Sequence, residues 1–320
     1  DTQNMILQSQ KPDNSVFFRA MVEWVAENKE KENMQFLMHL GDVVNNTTLD
    51  YEFAISKEIL AGLDGVLPYS ISLGNHDYDK GSDKESTTFN EQFPLSRFAQ
   101  METFGGAQDD TMNNTYHLLE VVGNKYLILA LEFGPLDAVL AWANEVVAAH
   151  PEYQVIVTTH GYLMSNGDYL DGYLSASSYF SDSNNGSELW EKLVSKHENI
   201  FMVLCGHVET DDVVCMPRRG DHGNSVYQIL VDAQGRDARE GMGMILMLRF
   251  RNGGKTLDLN YFSPYRNASY RTVNQFTLQL APLTYTVTFV DGLTKETIAT
   301  VEVEEGAAAI APTAPEHEGY

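Results

Sequence analysis

Four short apolar runs in this chain end in the same way. MQFLMHL (Met34–Leu40) runs into Gly41-Asp42, and VLPYSISL (Val66–Leu73) runs into Gly74-Asn75-His76-Asp77. YQVIVTT (Tyr153–Thr159) runs into His160-Gly161, and NIFMVLC (Asn199–Cys205) into Gly206-His207-Val208-Glu209. Short apolar runs of this kind predict buried strands. Stretches with helical spacing lie among them: Ser15–Asn33, Asp50–Asp64, Leu136–His150 and Glu188–His197. Strands that alternate with helices predict a largely parallel sheet. In such sheets, sites gather beyond the carboxyl ends of the strands. Each run therefore delivers a carboxylate, amide or imidazole to one edge, beside a glycine that permits a tight turn. Asp1, in the opening Asp-Thr-Gln, fits as a fifth such end if a strand precedes it.

The rest of the chain completes the architecture. Tyr116–Phe133 reads as paired strands, and from Val226 onward VYQILVDA, GMILMLRFR, TLDLNYF and NQFTLQL add antiparallel ones. The expected fold is a two-sheet α/β sandwich. After Pro282 the composition shifts, and YTVTFVDGLTKETIATVEVEEG (Tyr285–Gly306) alternates as strand, turn and strand. The expected division is a main domain at 1–281 and a small β-rich module at 282–320. The stretch Asp77–Asp110 is polar and Gly-rich and reads as a long loop with local structure, and Leu163–Gly186 is polar and reads as loop-rich.

Charge excludes some partners. Among 320 residues, 45 Asp and Glu face 21 Lys and Arg, a formal net charge of −24. Such a surface argues against nucleic acid or an anionic membrane as the main partner. It leaves room for a phosphate-bearing substrate only where bound cations reverse the local sign. Cys205 and Cys215 are too few for a disulfide framework or a thiolate zinc site, and read equally as one bridge or two free thiols. No apolar run reaches membrane-spanning length and no signal peptide is visible. The abrupt start at Asp1 reads as a trimmed fragment, with its first residue prone to fraying.

Taken in order, Asp1-Thr2-Gln3, Gly41-Asp42, Gly74-Asn75-His76-Asp77, His160 and Gly206-His207-Val208-Glu209 resemble the motif series of the calcineurin-like metallophosphoesterases, over roughly residues 1–280. The resemblance implies two divalent metal ions (Mn, Fe, Zn, Mg or Ca). Asp42 would bridge them. Asn75, His160 and His207 would complete one shell, and Asp1, Gln3 and Glu209 the other. His76 would stand beside the scissile phosphate as general acid or charge stabiliser. Two cations about 3.5–4 Å apart clamp a phosphate ester and generate hydroxide near neutral pH. The implied reaction is therefore hydrolysis of a phosphate mono- or diester by a hydroxide bridging the ions. The tail resembles the β-grasp-like, internalin-B-type repeats of bacterial surface proteins, which implies a secreted or surface location and association with the cell wall.

The chain departs from the family pattern in three places. The first motif has Gln3 where the family has a histidine, and the last ends in Glu209 rather than histidine. One metal would then meet only oxygen donors, which favours Mn²⁺, Mg²⁺ or Ca²⁺ over zinc. Asn45 stands where the family often has an aspartate that orients the catalytic histidine. Asn45 would still fix the His76 tautomer, leaving His76 a neutral donor, unless Asn45 and Asn46 are only turn formers. Tyr162 reads as lining the cleft or as packing, Arg218 and Arg219 as a solvated turn or else as a contact for a substrate phosphate, and Glu132 has no assigned role. His39, His117, His150, His197, His222 and His317 read as ordinary hydrogen-bonded residues. The alternatives to an enzyme are a catalytically weak adhesion or wall-binding protein that keeps the fold as a scaffold, and a mononuclear metal-binding protein.

Overall fold

A computed structural model describes residues 1–7, 13–81, 83–234, 243–282, 284–304 and 306–316. His317 and the last three residues of the chain lie outside the described residues. The first strands, β1 (Leu37–His39) and β2 (Tyr69–Ile71), pair in parallel as a two-stranded sheet. Seven strands form the central sheet: β3 (Phe104–Ala107), β4 (Thr115–Val121), β5 (Asn124–Ala130), β6 (Gln154–Thr158), β7 (Ile200–Cys205), β8 (Val214–Arg219) and β9 (Ser225–Leu230). Their order is β3-β4-β5-β6-β7-β9-β8. The middle, β5 to β6, β6 to β7 and β7 to β9, is parallel, and β3, β4 and β8 are antiparallel additions. A four-stranded sheet contains β10 (Ile245–Arg251), β11 (Thr256–Ser263), β12 (Ala268–Ser269) and β13 (Gln275–Gln279). The fold is mixed α/β with a central sheet and further sheets, as the pattern of runs predicts.

Burial on both faces explains why the central strands read as continuous apolar runs. Leu127, Leu129, Val155, Val157, Val203 and Cys205 share one cluster with the helix Asp137–Ala149, while Ile128, Ile156, Met202 and Leu204 are buried by alternation on the opposite face. The helices follow from their apolar stripes. In α1 (Ser15–Glu32), Phe17, Phe18, Val22 and Val25 are buried, and Asn33 ends the helix in the left-handed region that asparagine tolerates at φ 51°. The second helix, α2 (Asp50–Leu60), buries Phe53 and Ile59 in the cluster that also holds β2.

The expected long loop at Asp77–Asp110 carries local structure. It contains α3 (Thr87–Gln92), α4 (Leu95–Phe98) and β3, anchored by Phe89, Phe93 and Phe98, all fully buried. Its start is fastened by Lys84, whose ammonium lies 3.2 Å from Glu132 and donates to the Gly134 carbonyl. Tyr78 donates its hydroxyl to the same Glu132 carboxylate at 3.0 Å. Both partners of the ion pair are over nine-tenths buried, so removing either would cost about 3–5 kcal/mol. Glu132 thereby has a structural role that its sequence context did not reveal.

The next helices are α5 (Asp137–Ala149), α6 (Ala176–Tyr179) and α7 (Gly186–Lys192), with a short α6 inside the second expected loop. The solvated turn expected at Arg218 and Arg219 is corrected: both lie in β8, an edge strand. Pro217 masks the strand in the sequence, and an edge is where a strand tolerates proline. Arg218 lies over the Tyr169 ring at 4.0 Å and donates to the Gly167 carbonyl. Tyr162 packs, fully buried, with its hydroxyl donated to Gln228. Cys205 and Cys215 are free thiols.

The chain divides into two compact units, Asp1–Met247 with Asn260–Gln275, and Leu248–Leu259 with Phe276–Tyr320. The second contains the antiparallel hairpin β14 (Thr284–Val290) and β15 (Thr297–Glu304), whose residues are mostly exposed. Among the described residues, no helix is long and apolar enough to cross a membrane.

Candidate metal centre

The turns after β1 and β2 are held together by one carboxylate. Asp77 is fully buried, and its Oδ1 accepts the Val43 and Val44 N–H groups while Oδ2 accepts that of Gly74. Glu52 of α2 does the same one residue further on, taking the Asn45 and Asn46 N–H groups at 2.8 Å. With these turns fixed, Asp42 projects from a left-handed backbone at φ 54°, a cost that persists where surrounding contacts enforce it. The Thr2 N–H donates to the Asp42 carbonyl at 3.0 Å, which brings the amino-terminal segment beside it.

Three side chains converge with Asp42. His160 Nε2 lies 3.3 Å from Asp42 Oδ2, 3.1 Å from Asn75 Oδ1 and 3.1 Å from His207 Nδ1. The protons are elsewhere. His160 Nδ1 donates to the Leu40 carbonyl at 2.8 Å, and His207 Nε2 donates to the Leu174 carbonyl at 2.9 Å. A carbonyl oxygen only accepts, so in each neutral ring the nitrogen facing the cluster carries a lone pair. Two imidazole lone pairs, a carboxylate oxygen and an amide oxygen thus point at one another with no proton between them. Such a set is stable when a cation stands among the donors, with the carbonyls fixing each tautomer from behind. Asp42, His160 and His207 present ligand atoms within 4.8 Å of one another. Phe133 packs edge-on to His160 at 5.6 Å and against His207 at 5.0 Å, a dry wall behind both rings.

Further oxygens lie close by. Gln3 is 2% exposed, donates Nε2 to Asp42 Oδ2 at 2.8 Å, and leaves its own Oε1 buried without a partner. The Asp1 carboxylate is buried, 3.5 Å from the His207 N–H and 3.8 Å from His160 Nδ1. Glycines leave room for these groups. A Cβ on Gly74 would stand 2.1 Å from Asp42 Oδ1, and one on Gly206 would stand 2.6 Å from Asp1 Oδ1. Lone pairs without protons, an orphaned amide oxygen and crowded glycines all fit cation binding.

Seven residues were expected to hold metal. Asp42, Asn75, His160 and His207 come together, Gln3 joins them through Asp42, and Asp1 lies behind the two histidines. Glu209 is exposed, on the turn beyond His207. His76 donates its backbone N–H to Asp42 Oδ1 at 3.0 Å, and its Nδ1 meets the Asn45 backbone carbonyl at 2.9 Å. The main chain of Asn45, rather than its amide, thus orients His76. This corrects the expected neutral donor. Nδ1 must carry the proton, so the neutral ring offers a lone pair at Nε2 and donates there only as imidazolium.

Charges in the cluster are interdependent. Burial alone would raise the Asp42 pKa, but the charge and hydrogen bond of His160 outweigh it and hold Asp42 low. Burial likewise acts to lower His160, and Asp42 outweighs it, so His160 is raised. Burial, with the His160 charge adding, lowers His207 to about 4. Asp77, Glu52 and the Leu174 carbonyl were missed in the sequence. Asp77 had a visible signal, standing inside the quoted Gly-Asn-His-Asp turn, whereas a backbone carbonyl leaves none.

A parallel-cored α/β fold with this donor set at its strand ends defines a metal-dependent phosphoesterase type of centre. Residues 12–215 match the calcineurin-like phosphoesterase family, and the chain belongs to that family. The matched range includes Asp42, Asn75, His160 and His207 but not Asp1 or Gln3. The chain is 26% identical over 253 residues to the uncharacterized protein YvnB of Bacillus subtilis, covering 78% of this chain and only 18% of that much longer protein. The purple acid phosphatase PPD1 of yellow lupin has a similar fold, with a TM-score of 0.51 and 13% identity, over 82% of this chain and 49% of that one. A 5'-nucleotidase precursor from Thermus thermophilus is similar at a TM-score of 0.44 and 13% identity, over 88% of this chain and 53% of that one.

Proposed function

We propose that this chain hydrolyses a phosphate mono- or diester with two divalent cations held at Asp42. The observation that carries the reading is the convergence of Asp42, Asn75, His160 and His207 on one point without an intervening proton. These four would hold one cation, and Asp42, Gln3 and Asp1 a second, with Glu209 the further donor that the family pattern assigns to it. Bound there, the cations would lower the pKa of a water molecule and neutralise the phosphoryl oxygens.

The chain's own groups supply the remaining work. The carbonyls of Leu40 and Leu174 hold each neutral imidazole in the ligating tautomer, so no tautomer shift precedes cation binding. Asp77 fixes the two turns that carry Asp42 and His76, and so sets the distance between them. His76, with its Nδ1 proton on the Asn45 carbonyl, stabilises phosphoryl charge from Nε2 as an imidazolium, and can pass that proton to the leaving oxygen. Phe133 excludes water from behind the histidines, which strengthens each electrostatic contact in front of them.

The oxygen-rich position would take Mn²⁺, Mg²⁺ or Ca²⁺, and the imidazole-rich one Zn²⁺, Fe or Mn²⁺. The hairpin of β14 and β15 supports the likeness of the tail to surface-protein repeats, and with it a secreted or wall-associated location. The scaffold alternative has no observation in its favour.

The test is turnover of a chromogenic bis-ester and mono-ester by the purified chain with added Mn²⁺. Turnover that a chelator abolishes and Asp42→Asn reduces by roughly 10³-fold is the expected result. No turnover at any pH, with Asp42→Asn indistinguishable from the parent, would sink the enzyme reading and leave the scaffold.

A further inference from the structure

A fifth strand obeys the same grammar as the four that open the sequence. In the parallel pairing of β7 with β9, Cys205 stands opposite Leu230, so His207 and Asp232 each lie two residues beyond the paired ends. Thr210 donates its N–H to the Asp232 carbonyl at 2.9 Å, which ties the turn after β7 to the segment after β9. Asp232 is 3% exposed. Its Oδ1 accepts the Gln234 N–H at 2.9 Å, and its Oδ2 is buried with no partner. The other orphaned oxygen beside Asp42 is Gln3 Oε1, 2% exposed. Asp232 is close enough for its charge to act on Asp42.

Among the described residues, neither Asp1, Asp42 nor Asp232 is paired with a lysine or arginine, and only His160 makes an ion pair with the first two. Asp232 feels the charges of the Asp1 ammonium and His160 but makes no ion pair among the described residues, and a divalent ion would offset the cost of a carboxylate buried in this way. Glu209, the residue the family pattern would assign here, is exposed.

We propose that Asp232 ligates the oxygen-rich cation through its orphaned Oδ2. The proposal rests on the two-cation reading above. The position would then comprise Asp1, Gln3, Asp42 and Asp232, oxygen donors throughout, and would take a hard divalent cation.

The experiment compares the full chain with Asp232→Asn after chelation and dialysis against a fixed free concentration of Mn²⁺. Metal content and the electron paramagnetic resonance of bound Mn²⁺ are read together. The parent should hold two ions per chain with a coupled-pair signal. Asp232→Asn should keep one, with an isolated-ion signal and at least about tenfold weaker binding of the second. Its metal-free melting temperature should be unchanged or higher, because a buried charge is removed. Two ions bound to parent and variant with equal affinity would overturn the role of Asp232 while leaving the two-cation reading intact. One ion or none in the parent would overturn that reading, and this proposal with it. If Asp232→Asn does not fold, Asp232→Glu decides the matter: unchanged binding of the second ion would overturn the assignment.

Discussion

The two sets of donors near Asp42, an imidazole half and an oxygen half, are built differently. In the imidazole half, each ring is fixed from behind by a backbone carbonyl, Leu40 for His160 and Leu174 for His207, and a phenyl ring closes the rear. Each ring there has its second nitrogen satisfied. In the oxygen half, Gln3 Oε1 and Asp232 Oδ2 are buried with no partner at all. The difference teaches that the first half is organised by the fold itself, whereas the second keeps unmet electrostatic demand that only a bound cation would relieve. Affinity on the first side is therefore a matter of preorganised geometry, and on the second a matter of charge.

The largest expected effect separates holding metal from using it. His76→Ala should lower kcat by roughly 10²–10⁴-fold while the metal content of both halves stays at the parent value. Metal analysis alongside the rate checks this, and a parallel loss of metal would move His76 into one half or the other. Next, Gly206→Ala should act on the oxygen half alone. A Cβ there would stand 2.6 Å from Asp1 Oδ1, so the carboxylate must shift. Competition titration should show the second Mn²⁺ about 10–100-fold weaker and the first unchanged. Equal weakening of both would erase the contrast between the halves.

A smaller effect sharpens the contrast through pH. Asp42 raises His160 above its ordinary pKa, so in the metal-free chain His160 carries a proton below that raised value and an incoming cation must displace it. Affinity of the imidazole half should rise about tenfold per pH unit up to the raised His160 value and level off above it. His207, lowered to about 4, is already neutral and adds no slope above that pH. Calorimetry in buffers of different ionisation enthalpy counts the protons released, and equal release from both halves would contradict this account.

Far from the site, His117 gives the smallest test. Burial lowers it to about 4 from an ordinary 6.5, so between those values the unfolded chain binds the extra proton. Stability should fall as pH drops from 6.5 towards 4, by roughly 3 kcal/mol in full. Urea unfolding of His117→Gln should lack that share of the acid dependence.

Much of this was legible because the signals are local. The helices at Ser15–Glu32 and Asp137–Ala149 and the strands β6 and β7 follow from runs whose period and length decide the element. Asp42, Asn75, His160 and His207 were readable because each follows an apolar run that could only be a buried strand. The edge strand β8 was hidden by Pro217 and two arginines, which an edge tolerates and a central strand would not. Asp232 was overlooked because no glycine marks its turn. Nothing local distinguishes it from any acid after a strand.

The amino-acid order alone therefore determined which side chains arrive at the carboxyl edge of the sheet, since hydrophobic period and strand direction are properties of neighbouring residues. Only the tertiary structure decided which of them meet, which ring nitrogen carries its proton, and that the Asn45 main chain rather than its amide holds His76. Those outcomes depend on carbonyls and carboxylates that are distant in sequence, such as Leu174 for His207 and Asp77 for the Asp42 turn. Packing, not local preference, brings such groups within hydrogen-bonding distance.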